Sequence, residues 1–225
     1  MYCKALLIEA NMNHNDKHLD ALVEIRSLMN RSTRFLSLSG LSGVFAGTVA
    51  LAGAAMVYLF LGISPLGAEQ YLERYNTENW GMKYETFLVI DAILVATIAF
   101  AGGFFFTWRK SRKEGYKLID QNSIRLAINL AIPFATGGLF CLIILFKHGY
   151  VSLVAPATLV FYGLTLLNAS KYTYDDIRYL GISEIILGLL ATWYVGYGIL
   201  FWAIGFGVLH ILYGTKMYFK YDRKN

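Results

Sequence analysis

Between Phe35 and Tyr218 the charged residues are gathered into short intervals that separate long apolar runs. The runs cover about 35–61, 86–107, 126–146, 151–167 and most of Tyr179–Tyr218. About 20 apolar residues cross about 30 Å of hydrocarbon at about 1.5 Å per residue. A chain that is 56% hydrophobic and only 16% charged, divided this way, predicts membrane-spanning helices rather than one large water-soluble core. The last run reads YLGISEIILGLLATWYVGYGILFWAIGFGVLHILYGTKMY, and the Gly196-Tyr197-Gly198 turn splits it into a fifth and a sixth span. The predicted fold class is an all-α membrane protein, six transmembrane helices as three tandem hairpins, preceded by an amphipathic interfacial helix. Its parts are an N-terminal tail and amphipathic helix (1–34), a six-helix domain (35–215) and a basic tail (216–225).

Charge placement orients the bundle. Of the 20 Lys and Arg residues, only Arg74, Lys83 and Lys147 fall on one side if six spans are assumed. The other 17 fall in 1–34, 108–125, 168–178 and the tail, which predicts that side, and both termini, to be cytoplasmic. Tyr58, Trp108, Tyr172, Trp193 and Tyr197 sit near predicted helix ends, where amphipathic rings anchor at the lipid–water boundary. The net charge of +5 does not imply a nucleic-acid partner, because the basic residues cluster beside the spans. The expected partners are the lipid bilayer and anionic lipid headgroups at the basic loop 108–125. A homo-oligomer is an open alternative at the small-residue step Gly43/Gly47, which is read first as packing within the chain.

The N-terminal stretch MYCKALLIEANMN has no signal-peptide pattern. His14 and His18 have helical metal-ligand spacing but read as part of a solvated tail, and Cys3 and Cys141 are placed too far apart in depth to pair. No cofactor or metal site is expected. GLSGVFAG (40–47) can be laid on GISEIILG (181–188), and Tyr162-Gly163 on Tyr213-Gly214, which hints at internal repetition.

The pattern GISEIILGLLATWYVGYGILFWAIGFGVLHILYG resembles the tandem hairpins of HdeD-like six-span acid-resistance membrane proteins. The stretch IRSLMNRSTRFLSLSGLSGVFAG resembles the N-terminal part of uncharacterised multi-pass proteins of Bacteroidetes-type bacteria. These resemblances imply a bacterial inner-membrane location. Neither brings a catalytic motif.

Ionisable side chains in hydrocarbon cost on the order of 2.5–3.5 kcal/mol each on insertion scales, so each one is a functional candidate. Three occur: Asp91, Glu184 and His210. Glu184 and His210 return to similar depth in an up-and-down hairpin, and Asn129 and Asn168 fall near that level. Together they form a candidate intramembrane polar site, with Asp91 apart in the outer third of its helix. Such a layer serves either as a structural hydrogen bond between helices or as a place for a proton or ligand. The chain has no HExxH, GxSxG or Gly-Lys-Ser/Thr phosphate loop, so a non-enzymatic structural or stress-related regulatory role is expected. The alternative is a small proton- or cation-coupled transporter or channel using Glu184 and His210. An enzyme holding an ion at Asp175 and Asp176 is the least supported reading.

Overall fold

A computed structural model describes residues 35, 37–74, 78–115 and 119–223. The expected amphipathic helix before residue 35, together with His14, His18 and Cys3, lies outside the described residues. The described chain is helical apart from one hairpin of two-residue strands. Its elements are α1 (Gly40–Leu61), α2 (Ala68–Arg74), β1 (Glu78–Asn79), β2 (Met82–Lys83), α3 (Tyr84–Glu114), α4 (Gln121–Phe146), α5 (Val151–Ala169), α6 (Asp176–Trp193) and α7 (Gly198–Asp222).

Five of these helices, α1, α3, α4, α5 and α7, are long and apolar enough to cross a membrane. The remaining long helix, α6, has 18 residues and carries Asp176, Arg178 and Glu184, so it does not meet the same standard of apolarity.

Local chemistry sets where the helices begin and stop. Ser39 caps α1, its Oγ accepting from Leu41 N, and Gly62 closes α1 with φ 62°. Asp120 opens α4 with a capping box, its carboxylate accepting from Ser123 N. The boundary at 215 moves: α7 continues to Asp222, so most of the predicted basic tail is helix packed on the bundle. The physical reason is that Lys220 and Asp222 find partners there, as described below. Likewise α1 begins at Gly40 rather than Phe35, because Ser39 supplies the cap.

The helix α7 is the hub. It packs along α1 on one side and against α5 and α6 on the other, while α3 packs on α1 and α4 packs on α5. The molecule thus consists of two halves, α3–α1–α7 and α4–α5–α6. Within each half, one pair of helices touches backbone to backbone. A Cβ on Gly40 would lie 2.5 Å from Gly214 O, and one on Gly214 would lie 2.7 Å from Gly40 O. A Cβ on Gly47 would lie 2.6 Å from Gly207 O and 3.0 Å from Ile211 N. In the other half, Gly181 stands 2.8 Å by the same measure from Gly163 O, and Gly163 stands 2.6 Å from Gly181 O. Gly188 stands 2.9 Å from Pro156 O and 3.0 Å from Val160 N. These distances are too short for any side chain, so only glycine permits the approach.

The spacing of these contacts repeats. Gly40 and Gly47 are spaced as Gly181 and Gly188, and Gly207, Ile211 and Gly214 as Pro156, Val160 and Gly163. The two segments alignable by sequence therefore make the same contacts in the two halves. The Gly43/Gly47 step is filled from within the chain by α7.

The two ends of the bundle differ. At one, Phe60, Trp80, Tyr84 and Phe87 stack together, with Phe60 and Phe87 centroids 4.1 Å apart, and α2 lies beside them. The Gly196 turn rests on this end. Gly196 has φ 100°, and a Cβ there would meet Ala68 O at 3.0 Å. The opposite end is charged.

Candidate functional site

Glu184 lies two turns into α6 and is wholly buried. Its carboxylate is pressed against Gly205 of α7, where any Cβ would collide with Oε2, and Leu159 of α5 crowds the same glycine. His210, also of α7 and buried, brings Nδ1 to 3.4 Å from Glu184 Oε1. The same Nδ1 is 3.0 Å from Gly205 O, and Nε2 is 2.9 Å from Tyr162 OH on α5.

The proton on the ring can be placed by chemistry. A carbonyl oxygen only accepts, so the Nδ1–Gly205 contact requires a hydrogen on Nδ1. In the neutral ring Nε2 then accepts from the Tyr162 hydroxyl; in the cation Nε2–H donates to it. Because Nδ1–H is directed at Gly205 O, the 3.4 Å approach to Glu184 is electrostatic rather than a directed hydrogen bond. Accordingly neither carboxylate oxygen of Glu184 has a hydrogen-bond partner among the described residues. Phe206 covers the cluster, its ring 4.7 Å from that of Tyr162 and nearly parallel to that of His210.

The backbone beneath the cluster is unusual. Ala203–Leu209 of α7 is π-helical, a wider turn that occurs mostly as short insertions at functional positions. Its two glycines face opposite halves. Gly205 receives Glu184, and Gly207 receives the side chain of Leu51 from α1.

The remaining sequence candidates are placed elsewhere. Asn168 Nδ2 donates to Asn129 O and Oδ1, both at 3.1 Å, which ties α5 to α4. No hydrogen bond joins this pair to Glu184 or His210 among the described residues. The expected single polar layer is therefore divided into two, because Asn129 and Asn168 satisfy each other first. Asp91 is half-buried on α3, its carboxylate beside Gly53 of α1, with no hydrogen bond or ion pair among the described residues. Asp176 takes Lys216 at 2.8 Å, Lys220 at 2.7 Å and the Tyr221 hydroxyl at 2.7 Å, so its oxygens are occupied by bases of α7 rather than arranged for a metal ion. Among the described residues no group of three or more His, Cys, Asp or Glu residues is arranged to hold a metal. Cys141 is buried within α4 against Val154.

Sequence reasoning missed two sets of residues. Tyr162 and Gly205 complete the buried cluster; the parallel between Tyr162-Gly163 and Tyr213-Gly214 was the only signal for the tyrosine. The second set is at the charged end. Lys110, buried on α3, meets Asp222 Oδ1 at 2.8 Å, Leu38 O at 3.0 Å and Tyr174 OH at 3.1 Å. Asp222 Oδ2 accepts from Ser39 OH and from Gly40 N, both at 2.9 Å, and so neutralises the positive end of α1. Burial pushes the Tyr174 phenol above its ordinary range, against the opposing pull of Lys110.

No protein-family profile, curated protein or solved structure matches this chain. The functional reading therefore rests on the geometry.

Proposed function

We propose that the protein is a non-enzymatic component of a bacterial inner membrane, structural or stress-regulatory in role, with Glu184, His210 and Tyr162 as its proton-binding centre. In this reading α6 is a sixth span. Its 18 residues cover about 27 Å at about 1.5 Å each, and its acidic and basic residues are either buried against α7 or sit at the charged end. That end faces the cytoplasm. Arg109, Arg112, Lys113, Lys171 and Arg178 lie there, suited to anionic headgroups, and the Arg112 guanidinium lies 4.6 Å from the Trp108 ring.

One observation carries the proposal: a fully buried carboxylate with no hydrogen-bond partner among the described residues, beside a histidine ring. A helix tie that served packing alone would satisfy its polar atoms, as Asn129 and Asn168 do. Glu184 instead retains acceptor capacity, among the described residues, next to an imidazole, a ring that can hold one proton or two. The test is infrared titration of the whole protein in lipid nanodiscs. A carboxyl band that responds to pH and disappears in Glu184→Gln is expected. A spectrum identical in the two proteins at every pH refutes the proton centre.

A second reading, proton or cation transport, is favoured by Asp91, a further carboxylate within an apolar helix that has no partner among the described residues. It predicts pH-dependent flux in proteoliposomes that is lost in Glu184→Gln. Absence of flux for protons and alkali cations sinks it.

A further inference from the structure

We infer that the groove running along α5 between α4 and α6 holds one acyl chain of an anionic phospholipid, with the phosphate seated at the α4–α5 turn beside Lys147. The site needs α4 and α5 to lie in a membrane, for which both are long and apolar enough, and it does not depend on the proton centre at Glu184.

Two glycines set the walls. Gly188 brings α6 against α5: a Cβ there would lie 2.7 Å from Val160 Cγ2 and 2.9 Å from Pro156 O. Gly137 does the same for α4, where a Cβ would collide with the Phe161 side chain. Both flanking helices are thereby held close to α5, and the small side chain of Ala157 keeps the floor between them low. The result is an open groove of about 250 Å³. It runs from Ile144 and Leu153 near the α4–α5 turn down to the rings of Phe140 and Phe161, whose centroids lie 5.4 Å apart.

Size decides between occupants. From Leu153 to Phe161 the groove is about 12 Å long, at about 1.5 Å per residue. A helix with its side chains is about 10–12 Å across, so the same length of helix displaces on the order of 1,000 Å³ and does not fit. Pockets for drug-sized ligands hold about 300–1,000 Å³. A single hydrocarbon chain matches the groove in both girth and length. The lining agrees with this. Its one polar side chain is Thr192, whose hydroxyl donates to Gly188 O at 2.9 Å, so the walls offer an apolar ligand nothing to desolvate.

The mouth has the opposite character. Lys147 keeps helical backbone angles, φ −87° and ψ −36°, and so stands one turn above Ile144 on the same face of α4. Tyr150 stands one turn above Leu153, at the start of α5. Both are exposed, as is His148, whose ring stacks on that of Tyr150 with centroids 5.8 Å apart. The Lys147 ammonium has no hydrogen bond or ion pair among the described residues. The first turn of α5 holds no acidic residue, so the positive end of that helix adds to the lysine charge. An anion at the turn and an alkyl chain below it are together the chemistry of a phospholipid. This place is at the end of the bundle opposite Asp176, apart from the basic loop 108–125.

Photocrosslinking tests the site on the full-length protein in phosphatidylcholine nanodiscs. The probe is a trace of phosphatidylglycerol carrying a diazirine in the middle of one chain. Adducts should concentrate on Leu153, Ala157 and Val160 and exceed those on Val208 and Leu212, exposed positions of α7 that report ordinary lipid contact. Ala157→Trp fills the floor and should abolish the groove adducts while those on α7 stay unchanged. Should that variant fail to fold, Ala157→Leu should reduce the groove adducts in the same direction. Lys147→Ala should lower the groove yield by about fivefold, the worth of one lysine near an anionic headgroup, and leave the yield of a phosphatidylcholine probe as it was. Equal labelling of the groove and of α7, or groove labelling that survives Ala157→Trp, means ordinary lipid contact only and overturns the site. So does a groove that takes no label, the result expected if a second protein copy fills it. Groove labelling with equal yield for both lipids, unaffected by Lys147→Ala, overturns the anionic headgroup.

Discussion

Two carboxylates on one face of α6, Asp176 and Glu184, are treated in opposite ways. Asp176 stands at the charged end, and its oxygens meet two lysines and a tyrosine hydroxyl. Glu184, two turns deeper, is more completely buried and meets one histidine at 3.4 Å, with no directed hydrogen bond among the described residues. Burial raises the cost of an unmatched charge, so the deeper acid would be the one expected to gather more partners. The reverse is found. Lys216 and Lys220 are half-exposed, so the Asp176 set is open to water and salt, and three partners there do the work of holding helices. The deep site is left with acceptor capacity to spare among the described residues, which is the feature on which the proton-centre proposal rests.

The comparison can be broken most forcefully at the charged end, starting with the neighbouring acid that also serves structure. Asp222→Ala leaves the buried Lys110 with the Glu114 carboxylate, at 4.0 Å, as its ion-pair partner and removes the acceptor for Ser39 and Gly40 N. Losing one partner of a buried pair costs about 3–5 kcal/mol, so a marked drop in unfolding midpoint in detergent micelles is expected. A loss below about 1 kcal/mol would place this ion pair with the weak surface kind. Asp176→Asn should cost less, about 1 kcal/mol, and the loss should shrink as salt is added, because the partner lysines are half-exposed. Tyr162→Phe removes one interhelical hydrogen bond and should cost about 0.6 kcal/mol by the same unfolding measurement. Glu184→Gln should change stability least, by less than about 0.6 kcal/mol, since no directed hydrogen bond is lost. If Glu184→Gln instead costs as much as Asp222→Ala, then Glu184 is a structural tie and the contrast with Asp176 disappears.

These effects also show why the site was only partly legible in the sequence. Glu184 and His210 stood out because acids and imidazoles are expensive in apolar helices, and the hairpin brought them to one depth. Tyr162 did not stand out among 16 tyrosines, most of which could be read as interface anchors. Asn129 and Asn168 were at the right depth but faced each other, a matter of helix rotation that depth alone does not specify. Lys110 was read as one basic residue among several that set orientation. Its burial depends on α7 running seven residues past the predicted end to bring Asp222 to it.

The chain's own pattern of long apolar runs and short charged intervals was enough to establish helices of membrane-spanning length, their approximate limits and one glycine step, Gly43/Gly47, at which helices approach. Local hydropathy, capping and steric size act over a few residues, so they can be read one segment at a time. Which glycine meets which backbone, that α7 rather than α1 is the hub, and that Glu184 is left without a hydrogen bond were decided by the tertiary structure alone. Those outcomes depend on the relative rotation and depth of helices far apart in sequence, where a difference of a single residue along one helix turns a side chain from its partner toward lipid.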